Sequence, residues 1–189
     1  MDAGATRFDI ANGVLGGDFT SRLNMNLRED KHWSYGARSS ASGALGQRPW
    51  MAVAPVQIDK TSDAMKEMQA EISQFASGQR PPTTDEVTRI RNIQTLSLPG
   101  AYETASAVMN TIGGIVRYQR PDDYVFKRKA EIEAMTPAQV AEAARTLDPA
   151  RLTWVVVGDL KQTEAPVRAL GLGEVVVVDS DGNPVPAAK

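Results

Sequence analysis

Apolar residues recur at helical spacing through most of the chain. Phe8, Ile10, Val14 and Leu15 mark a first helical stretch, broken by Gly16-Gly17. Phe19, Leu23 and Leu27 follow at i, i+4 and i+8, predicting a second helix from Asp18 to Asp30 with Asp18 as its N-cap. The glycine pair lets the backbone turn between the two.

The next window loses that period. Residues 34–44 (SYGARSSASGA) are small and polar, GQRP makes a turn, and WMAVAPVQI follows. The two runs predict a β-hairpin, with Pro55 placing an edge or a bulge in its second strand. Helical spacing then returns. Met65, Met68, Ile72 and Phe75 share one face of a helix over 62–76, with Gly78 as its C-cap. Thr83 and Glu86 form a capping box that opens a helix reaching Leu98. Tyr102, Ala105, Met109, Ile112 and Val116 mark another, Asp122 starts one through Ala134, and Thr136-Pro137 with Gln139 starts one ending near Leu147. The methionine and aromatic positions at this spacing are expected in the core.

Two late windows predict strands. LTWVVVG, residues 152–158, is apolar on both faces and so reads as a central strand, and EVVVV lies beyond a short helix over 163–170. DSDGNPVPAAK closes the chain with a turn, and residues 179–189 are expected to fray. Strands grouped apart from helices predict an α+β fold, with helices covering one face of a mainly antiparallel sheet. A length of 189 residues suits a single domain over 1–189.

Composition narrows the function classes. A net charge of -2 offers no electrostatic basis for binding nucleic acid or an anionic membrane surface. No apolar run approaches the roughly 20 residues of a membrane-spanning helix, so no membrane insertion is expected. MDAGATRFDI has neither the basic nor the apolar region of a signal peptide. With no cysteine and one histidine, the chain cannot build a zinc site of the usual two- or three-histidine type or a thiolate site, and no metal ligand or cofactor-binding residue is assigned. His32 reads as a loop histidine, because nothing else in the sequence is placed as its partner.

The densest motif is NGVLGGDFTSRLNMNLREDKHWSYGARSSAS: a Leu-Gly-Gly corner, Ser-Arg-Leu on the next helix, Leu-Arg-Glu, then Tyr-Gly. With TPAQV ahead of a helix, WVVVGDL and the closing EVVVVDSDG, it resembles the C-terminal half of an M16 (pitrilysin/insulinase-type) metallopeptidase along nearly the whole chain. The resemblance implies an α+β unit facing a similar half across a chamber, with zinc and a glutamate base on an H-x-x-E-H helix of that partner half. It also implies that the non-zinc half supplies an arginine and, seven residues later, a tyrosine. Arg28 and Tyr35 have that spacing.

Attack on a peptide carbonyl creates an oxyanion, which a guanidinium or phenol can stabilise. The competing reading pairs Arg28 with Glu29, Asp30 or another carboxylate while Tyr35 packs. The resemblance further implies sheet strands ahead of the first helix. The chain opens at that helix, so an N-terminally truncated domain is expected, inactive alone and prone to self-association through an exposed sheet edge. Two functions follow: the substrate-contacting half of a zinc peptidase, or a non-catalytic scaffold subunit like the respiratory-complex core proteins. The resemblance also favours a bacterial envelope location.

Overall fold

A computed structural model describes residues 4–185. The order is α1 (Ala5–Asn12), α2 (Arg22–Asn24), β1 (Arg38–Ala41), β2 (Trp50–Val53), α3 (Thr61–Ser77), α4 (Thr84–Leu96), α5 (Ala105–Arg117), α6 (Tyr124–Ala134), α7 (Pro137–Ala144) and α8 (Leu160–Arg168). The first two helices each continue as a wider π-turn, over Gly13–Gly17 and Met25–Asp30. In the second, Lys31 N donates to Asn26 O at 3.0 Å. The fold is α+β, dominated by helices, with β1 and β2 antiparallel and Arg38 opposite Val53.

Local signals built several elements where the sequence placed them. Thr83 caps α4 and Glu86 returns the bond to the Thr83 backbone N–H, while Thr136 and Gln139 repeat the arrangement at α7. Gly78 ends α3 at a φ of 79°, a left-handed conformation that suits a residue without Cβ.

The core forms where α1, the π-turns, α3, α4, α6 and α7 meet the inner face of the hairpin. Ile10, Leu15, Leu23, Leu27, Ile72, Phe75, Ile90 and Val140 are all buried within it. Asn12 stitches helix to hairpin: its Oδ1 accepts from Ser39 Oγ (2.7 Å) and Trp50 Nε1 (2.8 Å), and its Nδ2 donates to Ser39 O (3.1 Å). The backbones approach closely here. A Cβ on Gly16 would lie 2.8 Å from Ser39 N, so this position takes glycine.

Three expectations change. Asp18 does not cap the second helix. Its Oδ1 accepts from Thr20 N (2.9 Å) and Thr20 Oγ1 (2.6 Å), closing a tight turn, and the helix begins at Arg22. Phe19 therefore leaves the Leu23–Leu27 face and is 58% exposed. Second, residues 152–158 form no strand. Leu152 and Trp154 pack against the core, whereas Val155 and Val157 are 83% and 94% exposed. A central strand needs neighbours on both sides, and among the described residues none lies beside it. Among the described residues, 174–178 likewise make no β-pairing beyond the bridge Val178–Pro184. Third, Met109, Ile112 and Val116 on α5 are exposed rather than core.

Asp179 closes the last turn through bonds from Asp181 N and Asn183 N to its Oδ1, both 2.9 Å. These bonds hold its carboxyl below the ordinary range, the Asn183 backbone bond foremost. Of the tail expected to fray, residues 186–189 lie outside the described residues. Among the described residues no helix is long and apolar enough to cross a membrane.

Candidate functional site

Arg28 and Tyr35 come together. Arg28 sits in the second π-turn, and its guanidinium carbon lies 5.4 Å from the centre of the Tyr35 ring and 4.6 Å from that of Phe19. The result is an aromatic–guanidinium–aromatic stack. Tyr35 is 90% exposed, and its phenol makes no hydrogen bond among the described residues. Arg28 Nε also lies 3.3 Å from Glu29 Oε1. A surface pair of this kind is worth about 0–1 kcal/mol, so an incoming acceptor can displace Glu29 at little cost. The pairing of Arg28 with Glu29 is thus present, whereas Tyr35 is exposed rather than packed.

The loop between the two residues is fixed by its own hydrogen bonds. Trp33 N and Ser34 N both donate to Leu27 O (2.9 and 3.2 Å). Ser34 Oγ donates to Pro55 O at 2.7 Å and accepts from Gly36 N at 3.1 Å. Asn24 is nearly fully buried and braces both ends: its Nδ2 donates to Phe19 O (2.6 Å), and its Oδ1 accepts from Ala37 N (3.0 Å). Asn24 and Phe19 are the residues that the sequence reading missed. The only signal for Asn24 was a polar residue beside the buried Leu23, which a solvated helix face would show equally.

His32 has a structural place here. It takes a φ of 57°, and its Nδ1 lies 3.0 Å from Arg28 O, so the imidazole ends the π-turn by donating to the Arg28 carbonyl. Gln57 Nε2 in turn donates to His32 O at 3.3 Å.

The arginine of the Ser-Arg-Leu motif holds the helix beneath the stack. Arg22 grips Glu86 through Nε (2.7 Å) and Nη2 (2.8 Å), donates to Arg80 O and Pro81 O, and lies over Phe75. Burial alone would raise the Glu86 carboxyl, but the Arg22 guanidinium and the Thr83 donors outweigh it and bring the pKa down from 4.5 to about 2. At Asp18 too, burial pushes upward, and the Thr20 side-chain and backbone donors hold the carboxyl below its ordinary range.

No group of three or more His, Cys, Asp or Glu side chains among the described residues could hold a metal ion. The donor set of this chain, with one histidine and no cysteine, does not fit zinc. The site offers hydrogen-bond donors and aromatic surface instead.

Residues 4–94 match the family described as peptidase M16 inactive domain. An uncharacterized zinc protease of Streptomyces coelicolor is 28% identical over 157 residues, covering 82% of this chain and 34% of that protein. The peptidase M16 inactive domain from Pseudomonas fluorescens superposes with a TM-score of 0.70 at 20% identity, over 78% of this chain and 35% of that one. A protease from Helicobacter pylori does so with a TM-score of 0.66 at 16% identity, over 75% of this chain and 33% of that one. The chain thus spans about a third of the length of these relatives. The motif, the matched residues and the shared fold agree in supporting one likeness: this chain is similar to the C-terminal, inactive domain of M16 peptidases.

Proposed function

We propose that this domain is the substrate-contacting half of an M16-type zinc peptidase and works with a zinc-bearing half. That half is carried in the same polypeptide or by a separate subunit. The observation behind this reading is the Arg28–Tyr35 stack, in which a guanidinium and an unbonded phenol share one braced, exposed surface. The zinc chemistry belongs to the partner half. The residues of this chain bind the peptide and donate hydrogen bonds to the carbonyl oxygen as negative charge develops on it. Phe19 limits the rotamers of Arg28 by stacking, and Asn24 and His32 hold the backbone on either side.

The test is kinetic, in the complex with the zinc-bearing half. Arg28→Ala and Tyr35→Phe should each lower kcat/KM, mainly through kcat, by about 10²- to 10³-fold, or roughly 3 to 4 kcal/mol. The double mutant should fall short of additivity, because both donors serve one oxygen. Zinc content and melting temperature should not change. If Arg28→Ala is silent, the domain is a scaffold subunit instead.

Residues 152–157 support a further part of this reading, self-association. Their backbone groups make no bond to another segment among the described residues, and Val155 and Val157 face outward. An apolar run with unpaired backbone groups is a template for pairing with another strand.

A further inference from the structure

A cleft of about 330 Å³ opens between α5 and α6, away from the Arg28–Tyr35 stack in sequence and in its lining. Three cations line it, and they differ in how they are neutralised. Arg128 lies 3.5 Å from Asp9 Oδ2 and donates to Gln94 Oε1 at 2.9 Å. Lys129 pairs with Glu133 on the next turn of α6. Asp9 is already shared with Arg48, at 2.8 Å. Arg120 has no carboxylate and no side-chain hydrogen bond among the described residues, and its buried Nε lacks an acceptor.

Backbone geometry places Arg120 in this position. Gln119 takes a φ of 52°, and Arg120 N donates back to Ile115 O at 2.9 Å, so the end of α5 delivers the side chain to the cleft. There its guanidinium carbon lies 4.8 Å from the centre of the Tyr118 ring and 4.1 Å from that of Tyr124. Stacking orients a guanidinium but uses none of its five in-plane N–H donors. Asn110 and the Tyr102 and Tyr124 phenols line the same cleft, and their side chains also make no hydrogen bond among the described residues.

Donors without acceptors, beside cations in excess of carboxylates, call for an oxyanion. We propose that this cleft binds a phosphate or carboxylate group, with Arg120 as its anchor and Arg128 and Lys129 as supporting charge. A planar, stacked guanidinium suits the two-oxygen face of either group. The proposal does not depend on the role given to Arg28 and Tyr35.

Calorimetric titration of the 189-residue chain with inorganic phosphate, and separately with an acetylated tri-aspartate peptide, tests it. Saturable binding that weakens with added salt is expected. Arg120→Ala should weaken it by at least about tenfold and Arg120→Lys by less, since lysine keeps the charge but not the fork. Binding of phosphate alone identifies a free anion as the ligand, and binding of the peptide identifies an acidic chain; either supports the site. No saturable binding, or unchanged binding by a folded Arg120→Ala variant, overturns it. Should Arg120→Ala unfold, Lys129→Gln decides: a loss of a few-fold supports the site, and an unaltered affinity overturns it.

Discussion

Helices α3 and α5 follow the same rule in sequence and end in opposite environments. In α3, Met65, Met68, Ile72 and Phe75 lie along one face, and all four are buried. In α5, Val108, Met109, Ile112 and Val116 form an equally regular apolar stripe, yet no residue of the helix is buried. Periodicity thus predicts the helix and its apolar face. It does not tell whether this chain supplies what covers that face.

The largest expected effect tests that contrast. Phe75→Ala should lower unfolding stability by about 3–5 kcal/mol, whereas Ile112→Ala should stay within about 0.5 kcal/mol in denaturant titrations. Equal costs would mean that α5 is packed in solution after all. Next comes the clamp under the α2 helix. Arg22→Ala leaves the Glu86 carboxylate without its main partner and should cost about 2–4 kcal/mol.

Because the Glu86 pKa is depressed in the folded state, its contribution is fully present above pH 4.5 and is lost as pH falls toward about 2. Melts in that window should show a shallower acid loss in the Arg22→Ala variant. A smaller effect is expected in the unpaired run over residues 152–157. Val155→Thr with Val157→Thr should leave stability within about 0.5 kcal/mol while reducing self-association in light scattering. Undiminished association would move the contact elsewhere, with the α5 stripe the next surface to test. The smallest is His32→Ala, which should change kcat/KM of the assembled peptidase by less than about tenfold. A larger loss would show that the loop end, not the Arg28 stack, controls the rate.

Elements with local causes were legible in the sequence. The two capping boxes and Gly78 depend on neighbours three or four positions away, and the structure places them as read. Residues 152–158 were read as a central strand because their composition is that of one, but pairing is a nonlocal property and the described residues supply no neighbour. Phe19 was assigned to the core because the helix was counted from Asp18. The Asp18 carboxylate is committed to Thr20, which delays the helix and turns Phe19 toward Arg28. The spacing of Arg28 and Tyr35 was readable through the family resemblance. Asn24, which braces their loop, was not, because a buried asparagine and a solvated one look alike in a helical pattern.

The π-turn over Met25–Asp30 carries a consequence for how this segment tolerates a change of length. A turn of this kind holds one residue more than the α-helix it interrupts. In an ordinary helix, losing one residue would swing every later side chain by about 100° around the axis. Here, deleting Asn26 would give up its bonds to Glu67 and Glu71 but let the wide turn close to an α-helix. Leu27 would keep its place in the core and Arg28 its side of the helix. The extra residue is therefore slack that this helix can lose without losing its faces.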